Sequence, residues 1–234
     1  MSATDRTVAI VPARGGSKRI PRKNVRDFLG KPMIAYALQA LRDSRLFDDI
    51  VVSTDDDEIA AVSRQHGAAV PFRRPAHLSD DQASTDAVLL HAVVECGRLL
   101  GPMRFGCCVY PASPFLTVED LAKGRELLLR HEATSAFPIV RYDFPIEQAL
   151  VLDGGRARAR WPEKLAARSQ DLTPHYHDAG MFYWFDVAKY LRAGELFCDD
   201  NVAFVIAADR CQDINTPEDW ASAERKYRLA REPG

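Results

Sequence analysis

Two hydrophobic periods take turns along the first 130 residues. Short apolar runs at 8–12, 49–53, 69–72 and 105–110 read as strands, and between them apolar residues recur at helical spacing. In 34–44, Ile34, Leu38 and Leu41 share one face opposite Gln39, Arg42 and Asp43, with Pro32 at the opening turn. Further helices are predicted at 57–66, 85–100 and 117–130. The second of these buries Val88, Ala92, Val93 and Cys96 and carries Asp86 in its first turn; the third is capped by Thr117 ahead of Glu119 and Asp120. Strand and helix in alternation is the pattern of βαβ units, so the expected fold class is α/β, three-layer α/β/α around a mostly parallel sheet.

The alternation breaks near residue 141. Runs at 148–153 and 156–161 flank Gly154-Gly155, a hairpin signal, and 161–179 is rich in Pro, Arg, His and Asp without a clear period. Apolar runs at 181–185 and 203–207 then return to the sheet, and a last helix after Thr216-Pro217 sets Trp220, Ala223, Tyr227 and Ala230 on one face. Residues 1–140 and 203–234 are thus expected to form the α/β core, with 141–202 an insertion within the same domain. No internal repeat or low-complexity linker is visible.

Composition narrows the function classes. A chain of 234 residues that is 47% apolar has ample core for one domain with an appendage. With 31 basic against 33 acidic residues its net charge is −2, which gives no global attraction to nucleic acid or an anionic membrane. The five cysteines are an odd count without C-x-x-C spacing, and Cys107 and Cys108 fall in a predicted buried strand, where they read as small hydrophobes. No stretch is apolar enough to span a bilayer and the start of the chain lacks the apolar core of a secretory signal, so the expectation is a soluble, cytoplasmic protein.

Candidate chemistry concentrates after the first strand, in Arg14-Gly15-Gly16-Ser17-Lys18-Arg19-Ile20-Pro21-Arg22-Lys23-Asn24. Two glycines let the backbone approach an anion, and five basic side chains offset more charge than amides alone can. A polyphosphate suits this mouth, which fits neither the G-x-x-x-x-G-K-[ST] nor the G-x-G-x-x-G spacing. The bland alternative is a solvated basic loop, and it stays open for Arg19, Arg22 and Arg26 in particular.

The same string resembles the signature of the acylneuraminate cytidylyltransferases, which transfer CMP from CTP to nonulosonic acid sugars. The likeness continues through Phe28-Leu-Gly-Lys-Pro32, Val52-Ser-Thr-Asp-Asp56, Arg74-Pro75 with Thr85-Asp86, Tyr110-Pro-Ala-Ser-Pro-Phe115, Arg168-Ser-Gln-Asp-Leu172 and Gln212-Asp-Ile214. Trp161-Pro-Glu163 and Tyr176-His-Asp-Ala-Gly-Met-Phe-Tyr-Trp184 are most similar to the pseudaminic acid branch. The resemblance implies a nucleotide-diphospho-sugar transferase-like fold, CTP and a nonulosonic acid as substrates, Mg²⁺ as cofactor, and a homodimer assembled through the middle insertion.

Residue by residue, it places Ala13, Arg14, Gly15, Gly16, Ser17 and Lys18 on the triphosphate, Lys23 and Asn24 at a second phosphate contact, and Arg74 with Thr85 at the cytidine. Arg14, Lys18 and Lys23 would offset the charge that grows on departing pyrophosphate. Thr85 reads equally as a helix cap. Arg168 would meet the acceptor's carboxylate in a two-bond fork, with Tyr110, Gln170 and Asp178 as partners for sugar groups. Tyr110 stands where the sialic acid branch usually carries glutamine. His175 and His177 flank Tyr176 as candidates for taking the proton of the anomeric hydroxyl, but each reads more readily as an ordinary loop histidine.

Asp213 and Asn215 fall where the family usually has Asp-x-Asp on the metal. Asn215 offers a carbonyl oxygen without the charge, which implies a raised magnesium requirement. Asp213 and Thr216 read alternatively as caps of the last helix, and Asp55 and Asp56 are secondary metal candidates. Two rival functions remain: the same reaction on N-acetylneuraminic or legionaminic acid, and a non-catalytic nucleotide-binding regulatory protein, the latter motivated by Asn215.

Overall fold

The computed structural model describes residues 6–231. The chain begins with β1 (Thr7–Pro12), crosses a small ribbon of β2 (Asp27–Phe28) and β3 (Lys31–Pro32), and continues through α1 (Met33–Ser44), β4 (Asp49–Ser53), α2 (Asp57–Gln65), α3 (Thr85–Leu100), β5 (Phe105–Val109) and α4 (Val118–His131). Next come β6 (Ser135–Arg141), the hairpin β7 (Leu150–Asp153) and β8 (Arg156–Ala159), then β9 (Tyr176–Asp178) and β10 (Phe182–Asp186). The chain ends with α5 (Val187–Ala193), β11 (Asn201–Ile206) and α6 (Pro217–Leu229).

The central sheet runs β11-β6-β10-β5-β1-β4. β1 lies parallel to β4 and β5, and β11 parallel to β6, while β10 runs antiparallel between β5 and β6. The reversal of β10 follows from the path: β6 climbs to the carboxyl edge, the insertion is made there, and the chain must descend. Residues alternate between the two faces of the sheet. Ala9, Val11, Cys107, Val109, Phe182 and Trp184 face α1, α4 and α6 through Leu38, Leu121 and Trp220. Val8, Ile10, Cys108, Tyr183 and Phe185 face α3 and α5 through Leu89, Val93 and Tyr190. The three-layer α/β/α architecture is therefore present. Cys107 and Cys108 are fully buried and burial pushes both thiols up, so they pack as small hydrophobes and not as nucleophiles.

Caps fix the helix starts. Thr117 accepts from Asp120 N as expected, and Thr216 forms a reciprocal box with Asp219. Thr85 is not a cap: Ser84 is, accepting from Ala87 N at 3.1 Å, which leaves the Thr85 hydroxyl free for another use. Ala230, expected on the packed face of the last helix, lies exposed just past its end.

Three expectations need correction. The run at 69–72 makes only isolated bridges, Val51 with Ala69 and Thr54 with Arg73, because Pro71 has no N–H to continue a ladder. Residues 135–141, with Pro138 in their middle, are an interior strand that the sequence pattern hides. Pro138 is tolerated because it sits where β9 and β10 part: β10 pairs with Ser135 and Ala136, β9 with Ile139 to Arg141, and the Pro138 carbonyl accepts from Ala179 N at 3.2 Å. Finally, 141–202 does not project as one unit. Its hairpin stands off the sheet with β7 fully exposed, whereas β10 is a buried central strand.

Candidate active site

The basic loop leaves β1 at the carboxyl edge of the sheet, where neighbouring strands also end and open α/β sheets leave room for a ligand. Ala13 is buried and its N–H donates to Ser53 O at 2.9 Å, which ties the loop's first residue to the end of β4. Gly15 N donates to Asp55 Oδ1 at 3.1 Å, and a Cβ on Gly15 would lie 2.6 Å from Asp56 Oδ2, so this glycine is required by close approach. Ser17 N turns back to Gly15 O at 3.0 Å. Gly16 has open space around it.

The cations divide by task. Arg22, at φ +58°, forks onto Asp56 at 2.6 and 2.8 Å and also pairs with Glu58. Arg26 lies 4.9 Å over the Trp220 ring. Arg22 braces the fold, and Arg26, exposed to solvent, lays its guanidinium on that ring. Arg14 and Lys18 instead converge on one anion from within the chain, the carboxylate of Asp81, which Arg14 Nη1 meets at 2.8 Å. Arg14 also donates to Asp80 O at 2.6 Å. Nothing in the sequence pattern singled out Asp81; an acidic pair within reach of a basic mouth was the signal available.

Lys23 donates from Nζ to Ile214 O at 2.7 Å. Burial holds its ammonium below the usual range, and nearby Asp213 pulls the other way. Asn24 is buried; its Nδ2 donates to Arg14 O at 3.0 Å, and its Oδ1 has no partner. Arg74 is also buried, 3.6 Å from Asp55, with Nε and Nη2 lacking hydrogen bonds; burial lowers its pKa against the pull of Asp55. A buried guanidinium with idle donors is a costly arrangement unless a ligand completes it.

Beside the mouth opens a cleft of about 660 Å³, bounded by Tyr110, Arg141 to Phe144, His177 to Gly180 and Asp213. Gly180, at φ +61°, turns β9 away from β10 and creates the gap. Tyr110 extends from the end of β5, and its hydroxyl shares a hydrogen bond with Thr85 Oγ1 at 3.1 Å. Asp178 points into the same space, and His177 Nδ1 lies 2.8 Å from its carbonyl. The structure thus brings Tyr110, Thr85 and Asp178 together. It does not bring Arg168 or Gln170 to them. Gln170 lines a smaller groove of about 260 Å³ across Arg141 to Phe144, and the exposed Arg168 side chain lines neither. His175 Nδ1 stands 3.4 Å from Glu147 Oε2.

Asp213 sits on the seam between mouth and cleft. Asn215 Nδ2 donates to Asp213 Oδ2, and Asn215 Oδ1 accepts from Arg19 Nη2 at 2.8 Å. Thr216, not Asp213, caps α6. Magnesium asks for one or two carboxylates completed by phosphates and water. Asp213 meets that need with its second carboxylate oxygen, whereas the Asn215 carbonyl is already engaged by Arg19. Asp55 and Asp56 are likewise engaged, by Gly15 and Arg22. Among the described residues no group of three or more His, Cys, Asp or Glu side chains could hold a metal by itself.

A loop that grips an anion beside a cleft with fixed acceptors can hold a polyphosphate and a hydroxylated sugar side by side, the arrangement of a nucleotidyltransferase. Residues 8–150 match the family model described as cytidylyltransferase. Over 228 residues the chain is 37% identical to the pseudaminic acid cytidylyltransferase of Campylobacter jejuni, covering 97% of this chain and 98% of that one. It is 28% identical over 236 residues to the CMP-N,N'-diacetyllegionaminic acid synthase of Legionella pneumophila, covering 97% and 98%. A CMP:2-keto-3-deoxy-manno-octonic acid synthetase solved with CTP shares the fold at a TM-score of 0.68 and 16% identity, over 98% of this chain and 100% of that one. The chain belongs to the cytidylyltransferase family. No helix among the described residues is long and apolar enough to cross a membrane.

Proposed function

We propose that the protein activates pseudaminic acid, transferring CMP from CTP to the sugar and releasing pyrophosphate. The observation that carries the reading is the seam at Asp213, where Lys23 from the phosphate loop meets the floor of the cleft. The 37% identity to the Campylobacter jejuni relative supports the choice of sugar. In the reaction an acceptor hydroxyl oxygen attacks the α-phosphorus and gives up its proton to solvent, the bond to the bridging oxygen of the β-phosphate breaks, and the electron pair leaves on pyrophosphate. Arg14 and Lys18 hold the outer phosphates in place of the Asp81 carboxylate, and Lys23 offsets charge on the leaving group. Arg74 supplies its idle donors to the base. Mg²⁺, when bound, would neutralise phosphate charge, with Asp213 as its protein ligand.

Arg168 is assigned to the acceptor's carboxylate. Its place outside the cleft suits a site completed by a second subunit, and we assign a homodimer to the hairpin and the segment before it, where Leu152 is 75% and Phe144 83% exposed. All five cysteines are free thiols, in keeping with a cytoplasmic enzyme. The test is pyrophosphate release from CTP and Mg²⁺ with pseudaminic, N-acetylneuraminic and legionaminic acids. The highest kcat/KM is expected with pseudaminic acid. A better rate with either other sugar reassigns the acceptor, and CTP binding without pyrophosphate from any of them makes the protein a nucleotide-binding regulator.

A further inference from the structure

The carboxylate of Asp178 faces the cleft, yet both of its oxygens are held from behind. Gly180 N donates to Oδ1 at 3.0 Å, and the Tyr183 hydroxyl donates to Oδ2. Tyr183 belongs to the central strand β10 and is 1% exposed. Its ring packs against Tyr110, Phe137 and Phe197, with centroids 5.5, 5.7 and 5.6 Å away. A slot walled by aromatic rings suits phenylalanine, and a hydroxyl buried there without a partner would be unfavourable. The hydroxyl neighbours that of Tyr110 and donates to Asp178, and it is this bond that reaches a carboxylate lining the cleft. Burial raises the Tyr183 pKa far above its usual range, so the phenol remains a donor at any working pH.

The geometry of the chain explains why two donors are needed. Asp178 is the last residue of β9, where the backbone turns at Gly180, and a short carboxylate at such a corner would otherwise rotate freely. The left-handed φ of Gly180 aims its N–H back at one oxygen, and the core tyrosine takes the other. The lone pairs that remain are set toward the cleft. Such a carboxylate is ready to accept from a donor on a bound sugar without having to be ordered first.

We infer that Tyr183 is a positioning residue of the acceptor site, fixing the Asp178 carboxylate in the orientation that accepts hydrogen bonds from the sugar's donor groups. The inference rests on the acceptor role proposed for the cleft. It assigns a function to a side chain that does not line the cleft and that packing alone would explain as core.

Steady-state kinetics of wild type, Tyr183→Phe, Asp178→Asn and the double variant test it. Tyr183→Phe keeps the ring and its packing. It is expected to raise the acceptor KM about tenfold, as for loss of a hydrogen bond to a charged group, while the CTP KM and the melting temperature stay near wild type. In the Asp178→Asn background the same change is expected to alter the acceptor KM less than about twofold, because the hydroxyl acts through the carboxylate. An unchanged acceptor KM in Tyr183→Phe overturns the inference. So does an equal loss in the Asp178→Asn background, or a loss shared by CTP and the melting temperature, which assigns the hydroxyl to the fold. If wild type turns over no nonulosonic acid, the acceptor reading fails and the inference falls with it; a working wild type with a silent Tyr183→Phe removes the inference alone.

Discussion

The two halves of the site are built to different standards. On the nucleotide side Asn24 and Arg74 are buried, Gly15 is fitted against Asp55 and Asp56, and Arg22 forks onto Asp56 behind the loop. Gly15 and Asn24 follow the end of β1, Asp55 and Asp56 the end of β4, which pairs with β1 along its whole length, and Arg74 N is tied to Thr54 O at 2.9 Å. On the acceptor side only Tyr110 and Asp178 are anchored, where β5 and β10 reach the cleft; Arg168 and the hairpin are exposed. The residues proposed for the triphosphate are thus held in a fixed network within the chain, while those proposed for the acceptor are held at fewer points.

If that division is real, damage on the nucleotide side must be felt with every acceptor. Lys23→Ala removes the half-buried cation proposed to meet the leaving group, and kcat/KM is expected to fall about 10³-fold with all three sugars while folding is retained. A drop of less than tenfold in pyrophosphate release would show that the mouth is not where the charge is met. Damage on the acceptor side should stay local. Arg168→Ala is expected to lower kcat/KM for the sugar about 10²-fold through loss of a bidentate carboxylate contact, with the CTP KM unchanged. A rise in the CTP KM of similar size would erase the distinction between the halves.

The better-built half is also the more legible one. The Gly-Gly pair, the run of cations and the strand leading into them are local in sequence, so the amino-acid order alone marks the mouth. Helix faces such as Ile34, Leu38 and Leu41 are equally plain, because burial imposes a period. What stays hidden depends on contacts distant in the chain. Pro138 masks β6, and its tolerance depends on a gap between two strands some 40 residues later. Tyr176 to Asp178 are exposed and too short to show a period, so β9 reads as loop. Arg22 looks like its neighbours in the loop, and only the fold sets Asp56 and Glu58 beside it. The Asn215 amide gives no hint that Arg19 claims its oxygen.

The brace behind the loop offers a smaller test. The Arg22 hydrogen bond lowers the Asp56 pKa from 3.8 to about 2. A carboxyl whose pKa is depressed by folding stabilises the native state above its unfolded pKa and loses that contribution as pH falls. The contribution should therefore be complete above about pH 5 and fade between about pH 4 and pH 2. The guanidinium is 39% exposed, so solvent screening reduces the gain to about 1 kcal/mol. Asp56→Asn keeps an N-cap for α2 but removes the charge and one of the two acceptors of the Arg22 fork. Urea unfolding at pH 7 should show the variant about 1 kcal/mol less stable, with the gap closing by pH 2. A gap that does not narrow in acid would mean that Asp56 acts as a cap alone and that the Arg22 fork does not brace the loop.

The smallest expected effect falls on the seam that both halves share. Asn215 gives its oxygen to Arg19 and its amide to Asp213, so a neutral side chain stands between a cation and a carboxylate. Asn215→Asp would add a negative charge there and turn the Asn215 to Asp213 hydrogen bond into a repulsion that a divalent cation relieves. Part of the new charge would be taken up by Arg19, which limits the gain. The magnesium concentration for half-maximal pyrophosphate release is expected to fall roughly threefold, as for a partly screened charge at close range, with kcat at saturating magnesium within about twofold. Superimposable magnesium titrations of the two forms would mean that Asp213 alone sets the metal's affinity. Arg19→Ala in the wild-type background separates the two uses of the asparagine: if Arg19 competes for its oxygen, releasing that oxygen also lowers the magnesium requirement, and if Arg19 serves the triphosphate, CTP binds less tightly with or without the ion.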